Sequence, residues 1–322
     1  MRAVKVIGGA MLGIYVAAAG WAQGLGRSLD IQPGARENGM GAAGVALPGD
    51  PCEATWWNPA ALGFAEHYGV QWTSADLAPQ FDADIRYHHV VGAVPIQRLG
   101  AIGVGGTFLS YGKGSDAREW STSVSAGYRL LPDLAVGVTA KYIRFELAPG
   151  PYGEASTFGF DLGGLYRKPV ASMTLSLGLN VQNIGPEATF SSEDSGDPLG
   201  RNLKVGGAIS LQVPLGPAGF EVGGTGAMDF NESLVTNDFR TWNEGMEVYG
   251  AYAKWVRVML RGGYYNDDLG EIRDFTYGAG IRVVGLSFDA AWIPQARVIA
   301  DDVMKMTIGL HTDFLMSLLS AN

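Results

Sequence analysis

From residue 69 onward, apolar and polar side chains alternate along the chain. In the clearest segment, Met173–Val181, the apolar residues Met, Leu, Leu, Leu and Val occupy every second position, and Thr, Ser, Gly and Asn lie between them. A period of two predicts β-strands with one apolar face. About 14 such segments follow one another, and most reach the roughly ten residues that a tilted strand needs to cross a bilayer.

The links between these segments are long and short in turn along the chain. Long polar links such as Ile184–Arg201 and Pro294–Asp302 are separated by short turns such as Leu131–Asp133. Tryptophan and tyrosine recur near predicted strand ends, where aromatic girdles lie at a membrane surface. The pattern is typical of a transmembrane barrel with both chain ends on the short-turn, periplasmic side. A soluble β-sandwich is the alternative, but its strands are shorter and its loops need not alternate in length.

The sequence therefore predicts an all-β protein, a closed transmembrane antiparallel β-barrel of about 14 strands, over residues 69–314. Closure gives every backbone amide and carbonyl a partner, which hydrocarbon cannot supply. Polar side chains at inward positions should solvate the lumen, the interpretation favoured over a specific ligand site. The predicted lumen-facing residues are Lys141, Asp161, Lys204, Glu221, Arg257, Arg261, Arg282 and Asp289.

Composition and the N-terminus indicate export. Charged residues make up 17% of the chain, below the roughly 25% of soluble domains, and the mean hydropathy is +0.08, too low for a helical membrane protein. Arg2 and Lys5 precede an apolar run, Val6–Ala19, as in a signal peptide over residues 1–22 that is cleaved after Ala22. A membrane anchor is the disfavoured alternative, because the run is shorter than the ~20 residues of a spanning helix.

Charge and cysteine content exclude some partners and cross-links. Cleavage would remove two of the 23 basic residues and none of the 32 acidic ones, which leaves a net charge of −11. Such a charge argues against nucleic acid as a partner. Cys52 is the single cysteine, so no intrachain disulfide can form. The expected environment is outer-membrane lipid.

No motif for catalysis or for a bound cofactor is found. His88 and His89 are adjacent on a predicted strand and point to opposite faces, so they make a poor metal pair. The acidic stretches 192–197 and 266–268 lack the spacing of a calcium loop and are interpreted as solvated loops. The prediction is a non-enzymatic protein without cofactor or metal.

Residues 23–68 do not alternate. The stretch 33–46 is rich in glycine, which allows close backbone approach. Asp50 and Pro51 can begin a helix, with Glu53 placed as in a capping box. Asn58 and Pro59 can begin a second one. Two short helical turns are therefore predicted in this segment, with Trp56 and Trp57 packed against the inner wall of the barrel.

The stretch GARENGMGAAGVALPGDPCEATWWNPAALGF, residues 34–64, resembles the N-terminal signature of the PorV/PorQ family of outer-membrane proteins, which is related to the FadL-type channels. Weaker matches, such as STFGFDLGGLYRKP and FTYGAGIRV, extend the resemblance over nearly the whole mature chain. It implies a 14-stranded barrel in which residues 23–68 form a hatch in the lumen. The matching hatch residues are Gly39, Met40, Gly41, Asn58, Pro59 and Ala60.

The resemblance implies a carrier that binds or shuttles secreted proteins with C-terminal signal domains, or subunits of the secretion complex, in type IX-like secretion. The alternative is a FadL-like channel for long-chain fatty acids or other hydrophobic small molecules. An apolar lumen mouth would favour the channel, whereas polar, acidic loops favour protein contact. Phe314 stands where outer-membrane barrels usually end, but a predicted extension, residues 315–322, follows it.

Overall fold

The structure is a computed structural model that describes residues 25–47, 49–81, 83–96, 99–148, 153–191, 195–216, 219–235, 240–253, 255–267, 272–294 and 302–312. The predicted signal peptide, Phe314 and the extension after it lie outside the described residues.

Alternation of apolar and polar residues produces one closed barrel of 14 antiparallel strands, which confirms the predicted fold. Each strand pairs with its neighbours in the chain, and β1 closes the ring on β14, from Gly69 opposite His311 to Ala75 opposite Lys305. The strands are β1 (Gly69–Asp76), β2 (Arg86–Ile96), β3 (Gly100–Ser110), β4 (Arg118–Leu131), β5 (Leu134–Glu146), β6 (Glu154–Val170), β7 (Met173–Ile184), β8 (Asn202–Leu215), β9 (Phe220–Ser233), β10 (Arg240–Tyr252), β11 (Val256–Asp267), β12 (Ile272–Val283), β13 (Leu286–Ile293) and β14 (Val303–His311).

The outer face of the barrel is apolar. Leu177 is 64% exposed, whereas its neighbour Ser176, on the inner face, is 3% exposed. The same alternation runs through the other strands, where exposed apolar side chains such as Val104 and Leu260 alternate with buried positions on the inner face. Among the described residues, no helix is long and apolar enough to cross a membrane. An exposed apolar belt around a closed ring of strands is what hydrocarbon surroundings require.

The two ends of the barrel differ in their connections. At the short-turn end, links such as 132–133, 171–172 and 284–285 join consecutive strands; at the long-loop end, links such as 77–85 and 185–201 do so. The sequence pattern predicts links over Asn231–Trp242 and Asn266–Ile272, but β9 extends to Ser233, β10 begins at Arg240 and β11 extends to Asp267. Asn231 and Asp267 are polar but buried on the inner face, so these polar positions continue the strands instead of ending them.

Residues 25–47 and 49–64 lie largely inside the barrel and are called the plug, and residues 65–68 link it to β1. It contains α1 (Arg27–Asp30), α2 (Ala35–Gly39), α3 (Pro51–Trp57) and a 3-10 helix (Pro59–Phe64); a second 3-10 helix, Pro79–Phe81, lies in a loop. The two helices predicted at Pro51 and Pro59 are present, the second as a 3-10 helix. The sequence analysis missed α1 and α2, which are only 4 and 5 residues long and begin after glycines without a side-chain cap.

Candidate functional site: the plugged lumen

Local sequence sets the conformation of the plug's central helix pair. The Asp50 side chain accepts a hydrogen bond from the Cys52 amide at 2.9 Å, and Pro51 occupies the first helical position. Asn58 Oδ1 accepts from the Ala60 amide at 3.1 Å and so caps the 3-10 helix in the same way. Both are ordinary N-caps, so this part of the plug follows from its sequence.

The carboxyl end of α3 is bound by the barrel wall. The last carbonyls of a helix have no partner within it. Gln182 donates to the Trp56 carbonyl at 2.7 Å, and Asn180 donates to the Trp57 carbonyl at 2.9 Å. The Lys204 ammonium lies 4.1 Å from the centre of the Trp56 ring, where a cation–π contact and the negative helix end both favour a positive charge.

The 3-10 helix lies on a row of three wall glycines. Gly127, Gly137 and Gly163 are cross-strand neighbours on β4, β5 and β6. A Cβ added at Gly137 would lie 2.2 Å from the Pro59 carbonyl carbon, and one added at Gly163 would lie 2.3 Å from Asn58 Oδ1. The plug backbone therefore approaches the sheet at distances that no side chain on these residues would permit.

A second glycine pair receives the hatch residues Gly39, Met40 and Gly41. Gly245 on β10 and Gly263 on β11 are directly paired on adjacent strands. A Cβ on Gly245 would lie 2.2 Å from the Met40 carbonyl oxygen, and one on Gly263 would lie 2.1 Å from the Gly41 amide nitrogen. Gly41 itself has a φ of 69°, a conformation that favours glycine. The glycine-rich stretch thus matches a glycine-lined wall.

Buried charges connect α2 to the wall. Glu247 binds both Arg36 of the plug, at 3.0 Å, and Arg261 of β11, at 2.6 Å, and Arg261 also contacts Asp289 at 2.6 Å. Removing one member of such a buried network leaves an unpaired charge. The plug is therefore anchored by charge pairs as well as by backbone contact.

The predicted lumen-facing residues divide into three groups. Lys141 and Asp161 form a fully buried pair at 2.9 Å beside a β-bulge at Asn183. Lys204, Arg261 and Asp289 contact the plug or its charge network as described above. Glu221, Arg257 and Arg282 are less buried: Glu221 lies 3.5 Å from Arg257, and Arg282 lies 3.6 Å from Asp50 of the plug.

Two carboxyl groups meet within the plug. A Cβ added at Gly34 would lie 2.7 Å from Glu37 Oε2 and 2.3 Å from Glu53 Oε2. Burial raises the pKa of Glu37 to about 7, although the nearby Arg36 opposes the shift. Burial also raises the pKa of Glu53, and the charge of Glu37 adds to that shift. Glu53 therefore pairs with Glu37 and does not complete the predicted capping box.

Two apolar clusters lie in the lumen near the long-loop end, beside the buried carboxylate of Glu119, which accepts hydrogen bonds from the Ser28 amide and the Tyr111 hydroxyl. Leu25 and Leu29 of the plug pack into one cluster with Ile143 and Phe145 of the wall and Leu199 of a loop. A second cluster lines the adjacent wall and includes Ala75, Ala78, Ala83, Ile85, Tyr87, Leu109, Tyr111 and Val303, with Ile31 of the plug packed against it. The sequence analysis predicted polar loops here and missed the apolar layer beneath them, because its members come from distant segments.

A third feature lies near the short-turn end. One ligand atom each of Asp50, His67 and His311 lies within 4.8 Å of the other two. The sequence analysis considered only the adjacent histidines, His88 and His89. His89 is buried and contacts Thr107 at 2.9 Å, whereas the His88 ring stacks on Trp72. Burial alone would raise the pKa of the Asp50 carboxyl. The hydrogen bond and charge interaction with His311, together with the charge of Arg282, outweigh burial and hold that pKa well below its usual range.

Comparisons with known proteins support the fold. No family model and no curated protein matches the chain. Among solved structures, it is similar to the CymD monoaromatic hydrocarbon channel, with 14% identity, a TM-score of 0.57 and coverage of 87% of this chain and 97% of that chain. It is also similar to the Ralstonia pickettii toluene transporter TbuX, with 14% identity, a TM-score of 0.53 and coverage of 90% and 98%.

A deletion mutant of the TodX monoaromatic hydrocarbon channel is a third similar structure, with 11% identity, a TM-score of 0.51 and coverage of 88% of this chain and 98% of that chain. At these identities the likeness shows a shared barrel fold. The descriptions of all three proteins name channels or transporters.

Proposed function

We propose that the chain is an outer-membrane channel that admits hydrophobic small molecules, with the plug as its gate. The observation that carries the proposal is the apolar layer around Leu29, Phe145 and Leu199, which lies in the lumen near the long-loop end. An apolar molecule that enters from that end would transfer its surface from water to this layer. The transfer is favourable by roughly 25 cal/mol per Å² of apolar surface buried.

The contrast between the two halves of the lumen supports a gate. Near the long-loop end the plug makes apolar contacts through Leu25 and Leu29, with few hydrogen bonds beside them, such as that from the Ser28 amide to Glu119. Nearer its centre it is held mainly by hydrogen bonds and buried charges such as the Arg36–Glu247 pair. When a plug shifts, water can replace its polar contacts with the wall. Such contacts therefore hold the plug in the lumen but still allow it to move. The backbone hydrogen bonds of the barrel do not depend on the plug, because neighbouring strands pair with one another around the ring.

The similar structures agree with this proposal, since their descriptions name monoaromatic hydrocarbons and toluene as the transported molecules. They share only the fold with this chain, so the chemical class proposed here is apolar small molecules in general. The carrier of secreted proteins is implied by the resemblance to the PorV/PorQ family, with the polar loops as secondary support, and the apolar layer beneath those loops favours the channel.

The test compares two loop leucines at the long-loop end. Leu199 is 1% exposed within the apolar layer, and Leu234 is 49% exposed outside it. Cells that lack other hydrocarbon channels would produce the wild type, Leu199→Ser or Leu234→Ser, and entry of a fluorescent apolar probe, N-phenyl-1-naphthylamine, would be measured. A serine in an apolar pocket should slow entry about 10-fold, and Leu234→Ser should match the wild type.

Equal entry in cells with and without the protein would contradict the channel. A parallel pull-down of the detergent-solubilised protein examines the carrier alternative. Recovery of several secreted proteins that share a C-terminal domain, without any probe entry, would replace the proposed function by protein transport.

A further inference from the structure

Three residues from three separate parts of the chain meet where the barrel closes. Asp50 begins α3 of the plug, His67 lies in the link between the plug and β1, and His311 ends β14. Asp50 Oδ2 lies 3.0 Å from His311 Nδ1, and one ligand atom of each residue falls within 4.8 Å of the others. Two imidazoles and a carboxylate form a common ligand set for first-row divalent metals.

Neighbouring groups orient two of these side chains. The Ser287 hydroxyl contacts His311 Nε2 at 3.0 Å, which turns Nδ1 towards Asp50. The Cys52 amide donates to Asp50 Oδ1 at 2.9 Å, which leaves Oδ2 towards His311. Metal ligands are typically held in this way by a second hydrogen bond, which fixes the histidine tautomer and the carboxylate orientation.

The spacing fits an ion. In a tetrahedral site with bonds of 2.0 to 2.1 Å, two ligand atoms lie about 3.3 Å apart, close to the separation of Asp50 Oδ2 and His311 Nδ1. A Cβ at Gly69 would lie 2.8 Å from Cys52 Sγ and 3.5 Å from His311 Nδ1, so the glycine lets the Cys52 thiol pack beside these ligand atoms. His67 lies outside any strand or helix, so a small shift of its link would complete the coordination.

We propose that Asp50, His67 and His311 form a divalent-cation site, with water as a fourth ligand, that locks the plug to the closing strands. This goes beyond the transport of apolar molecules and does not depend on it. An ion here would join the plug, the start of β1 and the end of β14. Arg282, 3.6 Å from Asp50, places a positive charge beside the site and should weaken cation binding.

The experiment uses the full mature protein in detergent, with Zn²⁺ as the probe. Binding would be measured by isothermal titration calorimetry, and Co²⁺ would be added separately to record the absorption bands of a protein-coordinated ion. One Zn²⁺ per chain is expected. His67→Ala and Asp50→Asn should each weaken it at least about 10-fold, Arg282→Gln should tighten it, and His88→Ala, on the outer face of the barrel, should leave it unchanged.

His311 is fully buried, and replacing it would disturb the packing around it. The test therefore uses variants of His67 and Asp50 instead. His67 is partly exposed and lies in a link, and loss of its side chain should preserve heat-modifiable migration, which reports the folded barrel. Absence of stoichiometric Zn²⁺ binding by the wild type would overturn the proposal. Equal affinity in the wild type, His67→Ala and Asp50→Asn would also overturn it, because the ion would then lie elsewhere.

Discussion

At the scale of single residues, the plug and the wall meet through glycines. Gly163 and Gly164 are adjacent on β6 and face opposite ways: a Cβ on Gly163 would lie 2.3 Å from Asn58 Oδ1, and one on Gly164 would meet nothing within 4 Å. An alanine at Gly163 would therefore disturb both the plug contact and the strand, whereas an alanine at Gly164 would affect the strand alone.

Gly163→Ala should loosen the plug, because the added methyl group overlaps the Asn58 side chain and forces it away. Overpacking of this kind costs about 1 to 3 kcal/mol. Limited proteolysis of the folded protein in detergent should cleave the plug faster in Gly163→Ala than in the wild type. Gly164→Ala is the matched control, and faster cleavage in that variant would show that the effect arises from the strand.

The glycines also illustrate what sequence can predict. The density of glycine in residues 33–46 predicted close backbone approach, and Gly39 and Gly41 do lie against the wall. Their partners, Gly263 and Gly278, follow more than two hundred residues later. Nothing local identifies which strand a plug residue touches, because such pairing is decided by the closure of the whole barrel.

At the scale of elements, α3 is completed by the wall. Its amino end is capped by its own Asp50, as the sequence predicted, but the carbonyls of Trp56 and Trp57 are satisfied by Gln182 and Asn180 of β7. The alternation along β7 placed both side chains on the inner face. Their role as helix partners could not be predicted, since it depends on the position of the plug in the lumen.

Gln182→Leu should weaken the plug's attachment, because it leaves the Trp56 carbonyl buried without its donor. An unsatisfied buried group costs about 1 to 3 kcal/mol. Hydrogen exchange measured by mass spectrometry should show faster exchange in peptides covering residues 51–64. Gln212→Leu, the same change at an exposed position on β8, provides the control. Unchanged exchange in Gln182→Leu would mean that water replaces this donor without cost.

At the scale of the whole molecule, the seating of the plug should depend on pH. Burial raises the pKa of Glu37 from 4.5 to about 7 in the closed state. The seated plug therefore binds more protons than a hydrated, displaced plug between these values. The contribution of Glu37 to the stability of the seated plug is therefore fully present below pH 4.5 and falls as the pH rises towards 7.

Single-channel conductance in planar bilayers should accordingly show more frequent opening at pH 8 than at pH 5. Glu37→Gln and Glu53→Gln keep one side chain of the pair uncharged and should reduce this difference. Glu232→Gln, which changes a partly exposed carboxylate at the long-loop end, should retain it. More frequent opening at acidic pH in the wild type would contradict the assignment.

The strand pair that completes the ring has a consequence for assembly. Gly69 of β1 pairs with His311 of β14, so the ring cannot close until the last strand has been made and inserted. Contacts between such distant residues form late and slowly. The plug precedes β1 in the chain, so it is synthesised before the first strand and is present when the final pair forms. We therefore expect the barrel to close around a plug that is already made, so that ring closure and plug enclosure belong to one stage of biogenesis.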